Sequence, residues 1–578
     1  MNSSISFPVL YTETTECQDC YKCLRLCPVN AIQVRDGHAT IVGDRCIACG
    51  GCVGVCPAGS KRIRNDIGRA RLLLQHHETA IVSLAPSYRA EFGQVDSRAL
   101  IGALKRLGFS AVSETAIGAQ EVSAETVKFL EHCEGGPWFS SACPVAVDLI
   151  KKYYPEWSER VAPLVSPMIA HARLLRRWMG ERVAVVFVGP CIAKKREAEQ
   201  YPGEADLSLT FQELRLWFEQ ERIDLAYAPR SSAGFVPRPA AQGGLYPIDG
   251  GMIRSMRAHA GLLETDFMSF SGFRAMRRVM EDLGRLDASS PVFLEFLACE
   301  GGCVNGPCTA GPGGTVLKRS AIIRAGLRNV DDAMRTESVD LSGVRRVEAV
   351  MAPSYDESAV RRALTKVGKY KLKDELNCGS CGYETCRAFA AALLDGKAEP
   401  AMCAGYMREL ASKKANALLR TMPSGVVIVD ADMRVVESNR RFAEITGEEV
   451  LMVYQASPGL KNAGLERLVP FADFFKTVLE DSEAMIDKDI RLKDKILHLT
   501  VFTIEPHHLI GGIIQDITTP AIQKERIVQK AKDVIDKNLA TVQKIAYLLG
   551  ENAAESEIIL NSIIESFPTQ TIDDKDSE

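Results

Sequence analysis

The chain has 578 residues, 46% hydrophobic and 25% charged, with a formal net charge of −4 at pH 7. At roughly 100–200 residues per domain this implies three to five folding units with apolar residues for several cores. The near-balanced charge excludes nucleic acid as the main partner. No apolar run reaches the ~18 residues of a membrane helix, and the opening "MNSSISFPVLYTETTEC" lacks an export signal, so the expected location is cytoplasmic.

Eighteen cysteines in such a chain are too many for disulfides in a reducing compartment, and their spacing points to metal. Within 1–75, Cys17, Cys20, Cys23 and Cys27 followed by Pro28 read C-x2-C-x2-C-x3-C-P, and Cys46, Cys49, Cys52 and Cys56 followed by Pro57 repeat it. Soft, tetrahedral iron takes thiolates, and the fourth cysteine of each run ligates the other cluster. One [4Fe–4S] cluster is therefore expected on Cys17, Cys20, Cys23 and Cys56, and a second on Cys46, Cys49, Cys52 and Cys27. Zinc knuckles are the alternative. The segment resembles a bacterial two-cluster ferredoxin, a carrier of single electrons.

From 76 to 368 apolar runs alternate with amphipathic stretches, an α/β pattern. "TAIVSLAP", "VAVVFVGP" and "VFLEFLAC" read as buried strands; "SRALIGALKRLG" and "VAVDLIKKYY" read as helices. Cys143, Cys191 and Cys299 follow apolar runs or open helices, where free backbone N–H groups favour an anionic group.

Three motifs, "SSACPVA" (140–146), "VGPCIAKKREAE" (188–199) and "EFLACEGGCVNG" (295–306), resemble in order and content the three signatures of [FeFe]-hydrogenases. The resemblance implies an H-cluster, a [4Fe–4S] cubane joined to a diiron unit with CO and CN⁻ ligands. It places the cubane on Cys143, Cys191, Cys299 and Cys303, with Cys303 bridging to diiron. Lys194 then donates a hydrogen bond to a cyanide, and Glu197 matches the motif's acidic residue. Cubane-only relatives that keep the four cysteines and bind no diiron are the alternative.

The sequence departs from the family pattern at three places. Ala142 replaces the cysteine whose thiol relays protons in active members; a methyl cannot. Gly189 and Leu297 replace two methionines near the diiron unit, so the surroundings are expected to be less sulfur-rich. A ferredoxin hydrogenase type of activity with slow turnover follows. Cys308 and Glu300 are candidates for a substitute proton route; Cys133 reads as structural.

In 369–410, Cys378, Cys381, Cys386 and Cys403 read C-x2-C-x4-C-x16-C, similar to a small four-cysteine iron–sulfur domain, with zinc as the alternative. It would hold the third [4Fe–4S] cluster outside the active site and let electrons leave toward the C-terminal half. No cysteine follows Cys403. Residues 411–520 resemble a PAS domain, from "GVVIVDAD" to the closing Asp516-Ile517-Thr518; His498, His507 and His508 read as surface residues. In 521–567, Val528, Ile535, Val542 and Leu549 recur every seven residues with Ala531, Asn538 and Ile545 between them, a coiled-coil seam or one helix packed on its own domain. Residues 568–578 read as an acidic tail. No histidine follows His508, and the remaining chain is too short for a kinase ATPase.

The expected fold class is multidomain α/β and α+β. The expected function is a sensory hydrogenase acting on H2 and protons, with a ferredoxin-type electron partner, a kinase or phosphatase in trans, and a homodimer. A metabolic hydrogenase and a non-enzymatic cubane protein are the alternatives.

Overall fold

The computed structural model describes residues 7–257, 265–286, 289–326, 339–343, 347–351, 353–481, 485–493, 495–518 and 532–542. The chain divides into two compact units, Met1–Pro400 and Ala401–Glu578. No described helix is long and apolar enough to cross a membrane.

The first unit opens with the ferredoxin-like module. Strand β1 (Leu10–Thr12) is followed by β2 (Ile32–Arg35) and β3 (His38–Ile41), and then by β4 (Lys61–Ile63), which pairs antiparallel with β1. β2 and β3 form a hairpin through Asp36 and Gly37, both at positive φ, as a two-residue turn on right-twisted strands requires. The cysteine runs bend through left-handed residues, Asp19 and Tyr21 in one and Ala48 and Gly50 in the other. Such bends turn successive amides inward around an anion.

The α/β region holds two parallel sheets. β5 (Ala80–Leu84), β6 (Ala111–Glu114), β7 (Gly136–Phe139), β8 (Ala184–Gly189), β9 (Leu207–Thr210), β10 (Asp266–Ser271) and β11 (Pro291–Leu297) follow in chain order. They assemble as β6-β5-β8-β9 and β10-β11-β7. The three expected strands are β5, β8 and β11, and the two expected helices are Ser97–Arg106 and Pro144–Tyr153. The first starts where the Asp96 side chain accepts from Arg98 N, 2.8 Å away, and buries Leu100, Ile101 and Leu104. Each such side chain contributes about 1.5–3 kcal/mol.

Helix Glu357–Lys366, which the sequence reading leaves at the end of the α/β region, packs instead on helix Cys386–Leu394 through Ala363, Leu364, Cys386 and Ala390. This part of the first unit is strapped to the ferredoxin-like module: Val34 N donates to Lys397 O at 2.8 Å, and Gly37 N to Glu399. The backbone of Gly382 lies so close that a Cβ there would meet the Leu24 side chain at 1.9 Å.

In the second unit, β12 (Gly425–Asp430), β13 (Val435–Ser438), β14 (Ile486–Leu492), β15 (Lys495–Glu505) and β16 (Leu509–Asp516) form one antiparallel sheet in the order β13-β12-β16-β15-β14. Helices Arg440–Thr446, Glu448–Ala456 and Asp473–Glu480 bury their apolar sides with the sheet in one core. A second cluster joins Ala415 and Leu419 of helix Ala404–Thr421 to Val426, Phe502 and Ile513. Asn439 holds the corner: its Oδ1 accepts from Val426 N and Phe442 N, and its Nδ2 donates to Leu419 O and Ser424 O.

Residues 532–542 are helical. Two of the expected seam residues, Val542 and Asn538, are buried: Val542 joins the second cluster, and Asn538 Nδ2 lies 3.4 Å from Ser424 Oγ. For this stretch the structure corrects the expectation of a free coiled-coil seam, because the sheet of its own unit offers those side chains an apolar face. Val528, Ala531, Ile545 and Leu549 lie outside the described residues.

Candidate metal centre

Five strand ends converge on one cavity. Beyond β5 lie Ala85, Pro86 and Ser87; beyond β6, Thr115; beyond β7, Ala142 and Cys143; beyond β8, Pro190 and Cys191; beyond β11, Ala298 and Cys299. All of these line a cavity of about 100 Å3, together with Cys303, Lys194 and Leu297. This is the carboxyl-end crevice where parallel α/β sheets place ligands.

The four cysteines expected to hold the cubane therefore share one wall. Cys143 caps helix Pro144–Tyr153, whose first position is a proline that needs no amide partner. The Cys191 sulfur accepts the backbone N–H groups of Ala193 and Lys194. Cys299 and Cys303 are joined through Gly301 and Gly302, both at positive φ, and a Cβ on Gly302 would collide with Pro247 O. Burial pushes the Cys191 thiol up to about 11, with Cys143 adding to the effect. Burial likewise raises Cys299 and Cys303, reinforced by the neighbouring thiols. Buried thiols raised in this way, Cys191, Cys299 and Cys303, give up their protons to a cationic metal group that compensates the thiolates. The donor set fits a [4Fe–4S] cubane.

Lys194 Nζ donates to Ser166 Oγ at 2.8 Å and to Glu197 Oε2 at 2.6 Å. Glu197 lines a second cavity of about 270 Å3 and not the one containing the thiols. Ser87 is buried and lines the first cavity, and its Oγ has no hydrogen-bond partner among the described residues. An ammonium and an unpaired hydroxyl in an otherwise apolar cavity suit small anionic ligands. Ala142 puts its methyl at this wall.

At Gly189 the Phe187 ring takes the place of a side chain: a Cβ there would lie 2.6 Å from that ring. The surroundings keep one thioether, Met168. One expectation needs correction. Neither candidate proton carrier lines the cavity. Cys308 is buried in the core behind Cys191, bonded to Thr210, and Glu300 is exposed. Met168, Phe187, Thr115 and Tyr246 are lining residues that no motif marked.

The ferredoxin-like module meets this centre at Gly50. A Cβ there would come within 2.5 Å of Ile192 and 2.7 Å of Pro307, neighbours of Cys191 and Cys303 in the chain. Cys49 lies close enough to raise the Cys299 thiol electrostatically. Lys152 and Arg196 both donate to Cys46 O. The motif cysteines Cys378, Cys381 and Cys386 belong to the first unit, with Cys386 N bonded to Asn377 Oδ1 at 2.8 Å; Cys403 caps helix Ala404–Thr421 in the second. Cys133 donates to Leu130 O. His498 pairs with Asp487 and Asp489, while His507 and His508 are exposed.

Residues 78–307 match the family described as iron only hydrogenase large subunit, C-terminal domain. Over this stretch the chain is similar to the [FeFe]-hydrogenases. Residues 16–60 of this hydrogenase-like protein match a 4Fe-4S dicluster domain, and residues 374–404 a putative Fe-S cluster family. It is 24% identical to iron hydrogenase 1 of Clostridium pasteurianum over 367 residues, 51% of this chain and 64% of that one. It is 24% identical to the NADP-reducing hydrogenase subunit HndD of Solidesulfovibrio fructosivorans over 369 residues, 50% of this chain and 63% of that one. The matches thus span slightly less than two thirds of either relative. Among solved structures, a variant of [FeFe]-hydrogenase HydA1 from Chlamydomonas reinhardtii aligns with 18% identity and a TM-score of 0.37, covering 47% of this chain and 91% of that one.

Proposed function

We propose that this protein is a sensory [FeFe]-hydrogenase that binds or slowly oxidises H2 and relays the redox state through [4Fe–4S] clusters to its second unit. One observation carries the reading: four thiols, the Lys194 ammonium and the Ala142 methyl line the same cavity. Cys143, Cys191, Cys299 and Cys303 would hold the cubane, and Cys303 would also serve the diiron unit. When bound, the H-cluster supplies the chemistry H2 = 2H⁺ + 2e⁻. Lys194, oriented by Ser166 and Glu197, keeps a fixed positive donor at the wall. Ala142 leaves no exchangeable proton where the family resemblance puts the relay thiol, so turnover is slow while binding is kept.

With clusters bound, the Gly50 contact would be where the ferredoxin-like module takes up electrons for a ferredoxin-type partner. Two clusters on that module and one on Cys378, Cys381, Cys386 and Cys403 complete the chain. The five-stranded antiparallel sheet with helices on it supports reading the second unit as a PAS module. Its output passes to a kinase or phosphatase in trans, from a homodimer.

Infrared spectroscopy of the matured protein tests the reading: CO and CN⁻ bands are expected, and their absence would make this a cubane-only protein. Ala142→Cys is expected to raise H2 production. An unchanged rate in fully matured protein would remove the link between Ala142 and slow turnover, and high activity in the unsubstituted protein would mark a metabolic enzyme.

A further inference from the structure

A chain of buried hydroxyl and imidazole groups ends at the cavity wall. Ser83 on β5 and Ser113 on β6 are partners across the parallel pair. His171, on helix Pro167–Met179, bonds both: its Nδ1 lies 2.8 Å from Ser83 Oγ and its Nε2 2.9 Å from Ser113 Oγ. Ser83 Oγ lies 2.7 Å from Thr115 Oγ1, and Thr115 lines the cavity. All four residues are buried. A Cβ on Gly118 would come within 2.6 Å of His171 N, so tight helix packing holds the histidine in place.

Thr115 stands at the N-cap of helix Ala116–His132, where a threonine ordinarily accepts an amide of the first turn. Its side chain makes no such bond; it turns to Ser83 instead. Burial pushes His171 down to about 3, so the ring is neutral and carries one N–H.

The chain can run in two senses. With the hydrogen on Nε2, the ring donates to Ser113, and the Ser113 hydrogen is left in the core with no acceptor among the described residues. With the hydrogen on Nδ1, Ser113 donates to Nε2, the ring donates to Ser83, and Ser83 donates to Thr115. The one free hydrogen then belongs to Thr115, at the cavity. A buried O–H without an acceptor is disfavoured: Ser113 sits in the core, whereas Thr115 lines a cavity in which a ligand or a water can accept its hydrogen, so the second sense wins, and each bond polarises the next.

We infer that Ser113, His171 and Ser83 are positioning residues that hold the Thr115 hydroxyl as a hydrogen-bond donor into the cavity, aimed at a small ligand of the cyanide or carbon monoxide class. The ligand class rests on the function proposed above; the sense of the chain needs only some acceptor, ligand or water, in the cavity. The first end of the 17-residue helix that Thr115 caps adds a favourable dipole for such a ligand.

The test uses the matured full-length protein, its infrared spectrum, and the variants Thr115→Val, Thr115→Ser and Ser113→Ala. Valine should shift at least one cyanide or carbonyl band, and serine should retain the wild-type position. Ser113→Ala, at a residue outside the cavity lining, should shift the same band in the same direction by less. A valine spectrum that superimposes on the wild type, with bands at full intensity, overturns the inference. A wild type with no such bands refutes the proposed function instead, and a second measurement then decides the inference: ¹⁵N NMR of labelled histidine, with the signal assigned by its loss in His171→Gln. Hydrogen on Nδ1 supports the chain, including where Thr115→Val fails to fold; hydrogen on Nε2 overturns it whatever the cavity holds.

Discussion

Lys195→Met probes the ion cluster that ties the segment after the ferredoxin-like module to the α/β region. Lys195 Nζ is fully buried, 2.8 Å from Asp66 Oδ2 and 2.7 Å from Glu213 Oε1. Removing one partner of a buried pair costs about 3–5 kcal/mol. Asp66 would keep Arg64 at 2.9 Å, and Glu213 would keep Thr210 N at 2.7 Å. This retained support puts the loss near the lower end, about 3 kcal/mol. With a urea dependence of about 3 kcal/mol per M, the midpoint falls by about 1 M. Urea unfolding followed by tryptophan fluorescence reads it, since Trp217 is buried on the helix that Glu213 helps cap.

The pH dependence carries a sign. Burial pushes the Asp66 carboxyl up, but Lys195 and then Arg64 outweigh it and hold it below the usual range. Such a depressed group contributes stability that is full above its unfolded value near 4 and lost as pH falls through the folded value. Without Lys195, the Asp66 carboxyl loses the strongest charge opposing its burial and titrates higher. The deficit is therefore largest at pH 8 and narrows on acidification as Asp66 takes up its proton. An unchanged midpoint at pH 8, or a deficit that grows on acidification, refutes the argument.

Gly50→Ala should destabilise the contact between the ferredoxin-like module and the metal centre: left-handed backbone costs about 1–2 kcal/mol and overpacking against Ile192 and Pro307 about 1–3 kcal/mol. A lower Tm and weaker magnetic interaction between the facing clusters in electron paramagnetic resonance check it. Glu295 is buried on β11, and burial raises its carboxyl to about 7 against the N–H groups of Met252, Ile253 and Gly251. A raised carboxyl makes stability fall as pH rises from its unfolded value near 4 to about 7; urea midpoints across that range should slope downward in the wild type and flatten in Glu295→Gln. Asn439→Ala removes a helix cap and two buried donors, and should cost the second unit about 2 kcal/mol, read as a lower transition in urea.

The bends of the two cysteine runs were legible because close spacing is a local constraint: an x2 repeat turns the chain sharply, and Asp19, Tyr21, Ala48 and Gly50 show those bends. Strands β5, β8 and β11 were legible because burial on both faces leaves nearly continuous apolar runs. At Gly189 the sequence did not show what fills the place of the absent side chain, since the ring that occupies it comes from Phe187, two residues earlier. Cys308 misled for a similar reason: nearness to Cys303 in the chain put it five residues on and into the core. Thr115, Ser83, Ser113 and His171 carried no signal at all. A serine in an apolar strand and a histidine in an amphipathic helix look ordinary until packing makes them partners.

Sequence alone determined which residues can bind metal, in what order the modules run, and that a methyl stands where the family resemblance expects a thiol. Those properties follow from side-chain chemistry and short-range spacing, which survive without a fold. Tertiary structure decided which groups share a cavity. Five strand ends far apart in the chain converge there because parallel sheets place all their carboxyl ends on one side. It also decided that Glu197 supports Lys194 from behind and that a neutral imidazole in the core sets the direction of a hydroxyl at the wall.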